Sequence, residues 1–177
     1  LTETSPVTHV MPEHAARLKL GSIGLPVPST DCRIVGPETG RDVAAGVAGE
    51  IWVRGPQVMR GYFNRPDETR AVLDADGWFR TGDIGRTDAD GFFFIVDRLK
   101  ELIKYKGMQV PPAELEAVLL SHPAVADAAV VPLADDDAGE IPRAFVVRKG
   151  TATAEELMAF VASQVAPYKK VRRLEFI

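Results

Sequence analysis

Asp83 closes the run Trp78-Phe79-Arg80-Thr81-Gly82-Asp83, and fourteen residues later Asp97 begins Asp97-Arg98-Leu99-Lys100-Glu101-Leu102-Ile103-Lys104-Tyr105-Lys106-Gly107. An ionised carboxylate presented by a glycine-bearing turn offers two oxygens, enough to accept hydrogen bonds from two vicinal hydroxyls such as those of a ribose. A turn aspartate more often caps its own backbone, so Thr81-Gly82-Asp83 alone carries little weight. The downstream run adds one arginine and three lysines, Lys100, Lys104 and Lys106. It is too short and too poor in aromatics to argue for nucleic acid, and it suits a small phosphate-bearing ligand better. Read by spacing alone, Lys104 and Lys106 alternate with Ile103, Tyr105 and Gly107 as on a half-exposed strand, and Lys100 reads as an exposed strand lysine.

These residues need a scaffold. Residues 20–63 read as β-rich, with short apolar runs such as Cys32-Arg33-Ile34-Val35 and Glu50-Ile51-Trp52-Val53-Arg54 alternating faces between glycine and proline punctuation. Strands this short and close predict a small barrel-like or sandwich subdomain. Residues 67–73 are expected to be a helix capped by Asp67, and Asp88-Ala89-Asp90-Gly91 to turn one strand into another. After Arg98 the pattern changes: 101–105 reads as a strand turned by Gly107, and Pro112 opens a helix presenting Leu115, Val118 and Leu119. Strands follow at 128–132 and 144–148 around the acidic loop 135–140. Thr153 and Glu156 form a capping box for a second helix, whose stripe is Leu157, Phe160, Val161 and Val165. The fold class is therefore α+β, with a β-barrel-like part over 1–98 and a small α+β part over 99–177.

Composition excludes little but narrows the class. The chain has 177 residues, 46% hydrophobic and 26% charged, with a net charge of −4, which is ordinary for a soluble globular protein. That negative charge falls on residues 1–97, while 98–177 is balanced. The basic group Lys169/Lys170/Arg172/Arg173 reads as a solvated face. No apolar run approaches the length of a membrane span. Cys32 is the one cysteine, so no intrachain disulfide forms, in keeping with a cytoplasmic setting. The start Leu1-Thr2-Glu3-Thr4-Ser5-Pro6 has neither the basic nor the apolar part of a signal peptide. It also lacks an initiator methionine, so the chain is expected to start within a longer one.

Taken together, TGD followed by FIVDRLKELIKYKG resembles the nucleotide-side and hinge motifs of the acyl-adenylate-forming (AMP-binding) enzymes, a superfamily of acyl-CoA synthetases, luciferases and peptide-synthetase adenylation domains. The likeness runs over essentially the whole chain. It is densest from 77 to 116 and is strong in Pro56-Gln57-Val58-Met59-Arg60-Gly61-Tyr62-Phe63-Asn64-Arg65-Pro66. KELIKYKGMQVPPAELE, His122-Pro123-Ala124-Val125 and Ala166-Pro167-Tyr168-Lys169 resemble the 4-coumarate–CoA ligase branch, with Pro111 standing where that branch usually has alanine. The first three residues resemble the end of the family's Y-G-x-T-E motif.

The resemblance implies roles for particular residues. Asp83 and Arg98 would hold the ribose of ATP and of the acyl-adenylate, and Thr2 would touch the α-phosphate. Glu3 would hold Mg²⁺, a hard cation that takes one or two carboxylates beside phosphates. Lys100 would be the hinge about which a small C-terminal domain rotates between half-reactions. Lys104, Lys106 and Gln109 would lie on the loop this rotation brings to the chemistry, and Gly107 would pass the pantetheine arm of coenzyme A. The implied activity is ATP-dependent acid–CoA ligation of a small carboxylic acid, with ATP, AMP, Mg²⁺ and CoA as ligands and no nucleic acid. By the same resemblance, 1–98 is the last part of the large AMP-binding domain, and 99–177 is the small mobile domain cut short of its adenylation lysine. A phosphate loop is expected upstream, and the piece alone is expected to be inactive. The alternatives are an adenylation domain loading a carrier protein and a non-catalytic binding module.

Overall fold

A computed structural model describes residues 1–177. The chain divides into two units, Leu1–Leu99 and Lys100–Ile177, with a 3-10 turn, Leu99–Glu101, at the division.

The first unit is built on strands. A 3-10 turn, Thr2–Thr4, precedes the two-residue strands β1 (His9–Val10) and β2 (Leu25–Pro26), which pair antiparallel. β3 (Asp31–Val35), β4 (Gly49–Arg54), β5 (Phe79–Thr87) and β6 (Phe93–Arg98) then form a four-stranded antiparallel sheet in chain order. The sheet is open, so the barrel-like expectation gives way to a meander. Alternation holds as read: Ile34, Ile51, Val53 and Phe93 cluster on one face. On the other face Arg33 and Arg80 oppose Trp52 from the two flanking strands, each guanidinium 4.7 Å from its ring. Arg33 and Arg54 also stack on Trp78, at 4.3 and 4.5 Å. Such contacts contribute about 0.5–2 kcal/mol each, depending on their exposure. Helix α1 (Pro66–Val72) starts one residue earlier than expected. Pro66 occupies its first position, where a missing N–H costs nothing, and no side chain caps it. Asp67 lies inside the first turn and ion-pairs with Arg70 instead of capping.

His9 adds a pH-sensitive contact to this unit. Its ring lies 4.6 Å from Phe93, and Nδ1 meets Thr8 Oγ1 at 2.9 Å, while Nε2 is buried without a partner. A proton on the ring would therefore enter an apolar site, and burial pushes its pKa down from 6.5 to about 4. The stability gained by keeping His9 neutral is complete above pH 6.5 and is lost as pH falls toward 4. Allowing for partial exposure, thermal melts across that window should register a loss of about 2 kcal/mol. The His9→Asn variant should show a flatter profile, and an equal slope in both proteins would refute this assignment.

The second unit packs two helices on a sheet. Its elements are β7 (Ile103–Tyr105), β8 (Met108–Val110), α2 (Pro112–Leu120), β9 (Val125–Asp135), β10 (Gly139–Arg148), α3 (Ala154–Gln164) and β11 (Arg173–Phe176). β9 runs antiparallel along β10, whose other edge pairs with β7 at Gly139 and, in parallel, with β11. Strands β9 and β10 are longer than read, and the expected acidic loop shrinks to a tight turn at 136–138. Leu115 and Leu119 of α2 and Leu157 and Val161 of α3 are fully buried against Ile103, Val110, Ala144 and Val146. The Thr153/Glu156 capping box forms as the sequence indicates, with its two hydrogen bonds at 3.2 and 2.9 Å. Phe160 is half-buried and meets His122 edge-on at 4.8 Å. Val165 lies past the helix end as its C-cap. No helix is long and apolar enough to cross a membrane.

Candidate functional site

The Thr81-Gly82-Asp83 segment is not a turn between strands, as its composition suggested, but a bulge within β5. Trp52 pairs with Arg80 and Glu50 with Ile84, so a two-residue step on β4 faces a four-residue step on β5. The surplus needs backbone outside the ordinary β region, and Gly82 supplies it at φ 73°. Local bonds fix the bulge: Thr81 Oγ1 donates to the Ile51 carbonyl at 2.8 Å, and the Asp83 N–H donates to Thr81 Oγ1 at 3.1 Å. The Gly82 N–H donates to Glu50 Oε1 at 3.0 Å.

The bulge aligns Asp83 with Arg98, its partner in the β5–β6 register. Arg98 Nε stands 3.1 Å from Asp83 Oδ1, with the arginine side chain about half exposed and the aspartate side chain mostly covered. Beside Arg98, the Asp97 carboxylate is buried and accepts the Arg98 N–H at 2.7 Å. A cleft of about 360 Å³ opens here, walled in part by Glu3, Tyr62, Arg80, Thr81, Gly82 and Arg98. Two guanidiniums, Arg80 and Arg98, and two glutamates, Glu3 and Glu50, thus share one concavity, a lining suited to a charged ligand. Tyr62 donates its hydroxyl to Glu3 Oε1 at 3.0 Å; burial and the neighbouring carboxylate push the phenol pKa up. Thr2 is exposed; it and Asp83 each adjoin wall residues without being part of the wall.

The remaining candidates lie in the second unit. Lys104 and Gln109 are cross-strand partners on the β7–β8 hairpin, so their side chains leave the same face of the ribbon. Ile103 and Val110, paired next to them, are fully buried on the opposite face. Lys106 and Gly107 form the two-residue tip, at φ 49° and 78°, the left-handed pair that matches the twist of a tight hairpin. A Cβ at Gly107 would meet nothing within 4 Å, so the demand there is conformational. The tip is tied down by the neighbouring acidic turn. Lys106 N–H donates to the Ala138 carbonyl at 2.9 Å, and Lys104 N–H donates to Glu140 Oε2 at 2.7 Å. Both lysine side chains are left exposed. Lys100, at the division of the chain, is exposed as well.

The second basic group is more than a solvated face. Lys169 Nζ bonds Glu114 Oε2 at 2.6 Å in the first turn of α2, and Arg172 stacks over Tyr105 at 4.7 Å. Sequence reasoning missed Glu50, Tyr62 and Glu140. Glu50 carried a usable signal, since a carboxylate inside an apolar strand must find donors. Gly82, one of two glycines inside the β5 pattern, was a usable sign of the bulge.

This fold is shared with the domains of adenylate-forming enzymes. Residues 1–63 match the AMP-binding enzyme model and residues 114–177 match the AMP-binding enzyme C-terminal domain model. The chain belongs to the AMP-binding enzyme family. It is 52% identical over 161 residues to the probable CoA ligase CCL5 of Humulus lupulus, covering 90% of this chain and 29% of the relative. With 4-coumarate–CoA ligase 2 of Oryza sativa subsp. japonica it shares 49% identity over 100% of this chain and 32% of the relative. Among solved structures, o-succinylbenzoate CoA synthetase (MenE) from Bacillus subtilis in complex with its acyl-adenylate OSB-AMP superposes with a TM-score of 0.88. The two are 37% identical, and the match covers 100% of this chain and 36% of that one. The chain thus spans about a third of the length of the curated relatives it matches.

Proposed function

We propose that this chain is the ribose-binding and hinge portion of an ATP-dependent acid–CoA ligase. Residues 1–98 would belong to the AMP-binding domain and 99–177 to the small mobile domain. The observation that carries the reading is the Asp83–Arg98 pair, 3.1 Å apart beside the cleft, in a chain about half identical to CoA ligases. Asp83 offers carboxylate oxygens to the ribose hydroxyls, and Arg98 supplies a rigid charged fork next to them. Thr2 contacts the α-phosphate. Glu3 would be the one carboxylate on Mg²⁺; the ion usually takes only one or two from protein, and no cluster of three or more acidic, His or Cys ligands occurs here. When bound, the ion would neutralise phosphate charge.

In the first half-reaction the substrate carboxylate attacks the α-phosphorus of ATP and pyrophosphate leaves. In the second, after rotation about Lys100, the CoA thiol attacks the acyl carbon and AMP leaves, a far better leaving group than oxide. Lys104 and Gln109 serve one of these steps, the lysine by offsetting charge that develops on phosphate oxygens. Lys106 and Gly107 form the tip beside them, on the path of the pantetheine arm. Relatives with solved structures hold the matching ligands: the MenE enzyme has been seen with AMP and with ATP and a magnesium ion.

The test is pyrophosphate exchange by the full-length protein over aromatic, medium-chain and long-chain acids, followed by acyl-CoA formation with free CoA. Acid-dependent exchange with thioester formed on free CoA is expected. Exchange with transfer only to a carrier-protein thiol would overturn the CoA assignment, and no exchange with any acid would overturn the ligase reading.

A further inference from the structure

We propose that Glu50 is the positioning residue for Asp83, holding open the bulge from which Asp83 reads the ribose; this rests on the ribose reading above. Glu50 is only 8% exposed and forms no salt bridge, an expensive setting for a carboxylate. Each of its oxygens instead takes one neutral N–H: Trp52 Nε1 donates to Oε2 at 2.8 Å, and Gly82 N donates to Oε1 at 3.0 Å. The second bond is what the bulge lacks otherwise. Because β5 carries two residues more than β4 between the Trp52–Arg80 and Glu50–Ile84 pairs, the ladder supplies no carbonyl for Gly82. A side chain from β4 fills that place, and Gly82 is the residue directly before Asp83.

The two donors also dictate the residue type. A carboxylate accepts at both oxygens. Glutamine keeps one acceptor and turns the other into a donor, which must then face either Trp52 or Gly82. Aspartate, one methylene shorter, cannot span both donors from the same backbone position.

Glu50 also lines the cleft, but both its oxygens are taken by Trp52 and Gly82, so its effect must appear in what Asp83 recognises. The readout is the ratio of kcat/KM for ATP to that for 2′-deoxy-ATP in pyrophosphate exchange by the full-length protein. Glu50→Gln should lower this ratio about tenfold, the value of one charge-assisted hydrogen bond. Glu50→Gln combined with Trp52→Phe removes the competing donor, lets the amide oxygen face Gly82, and should recover most of the ratio. Asp83→Ala serves as the reference and should abolish the discrimination. If Asp83→Ala lowers the ratio while Glu50→Gln leaves it unchanged, the Glu50 proposal is overturned and the ribose reading stands. If Asp83→Ala itself leaves the ratio unchanged, the ribose reading fails first. Should Glu50→Gln not fold, Glu50→Leu with Trp52→Phe is compared with the Gln/Phe pair. Loss of discrimination in the Leu/Phe protein alone supports the proposal, and equal ratios refute it.

Discussion

Replacing Asp83 by alanine in the full-length protein is expected to lower kcat/KM for ATP by about 10²–10⁴-fold in pyrophosphate exchange. The magnitude follows from two hydrogen bonds between ribose hydroxyls and an ionised acceptor, about 1.5–3 kcal/mol each, with a tenfold change in rate for every 1.4 kcal/mol. Stability should move far less. Asp83 and Arg98 are ion-paired, but the arginine side chain is 52% exposed and can be solvated when its partner goes. A pair of that kind is worth about 0–1 kcal/mol. The measurement is the ATP dependence of exchange beside a thermal melt. A normal ATP dependence would sink the ribose assignment. A protein that melts much lower would show Asp83 to be structural first.

Lys100→Pro is expected to separate the two half-reactions. Lys100 is the middle residue of the Leu99–Glu101 3-10 turn, where the two units meet in sequence. Proline there fixes its own φ and pushes Leu99 out of the helical region. If the chain reorients about this residue, one of its two backbone states becomes costly by about 3 kcal/mol, or roughly 100-fold in population. Pyrophosphate exchange should stay within about threefold of wild type while acyl-CoA formation falls about 100-fold or more. Single-turnover assays starting from the acyl-adenylate would show this directly. Equal loss of both half-reactions would remove Lys100 from the hinge role.

Much of this molecule was legible because local chemistry is written locally. Thr153 and Glu156 form their reciprocal cap within one helical turn, and nothing distant can alter it. Pro112 opens α2 for an equally local reason. The alternation of Ile51 and Val53 against Trp52 predicted the two faces of β4, since side chains in a strand alternate whatever lies beside it. What failed was register. Gly82 and Asp83 looked like a turn because glycine and aspartate favour turns, yet the number of residues opposing them on β4 makes a bulge, and that number belongs to the pair of strands. The role of Glu50 was missed for the same reason: of its two donors, the one in the bulge lies thirty-two residues away along the chain. Whether the sheet closes also depends on partners, so strand length and spacing alone suggested a barrel where there is an open meander. The acidic stretch 135–140 looked like a loop on composition, but β9 and β10 take up half of it and leave a tight turn against the lysine hairpin. The site residues of the second unit were read from a motif, and their pairing, Lys104 with Gln109, follows once the tip residues are known to take up a two-residue turn.

Both tryptophans of the chain, Trp52 and Trp78, lie in the first unit, each with its ring against two guanidiniums. The indole N–H of Trp52 is the one held by Glu50. Intrinsic tryptophan emission is therefore a built-in optical gauge of the bulge beneath Asp83, and Lys100–Ile177 contributes no indole to it. An emission transition tracks the loosening of the arginine-stacked sheet, whereas melting of the lysine hairpin and its two helices must be followed through their backbone amides.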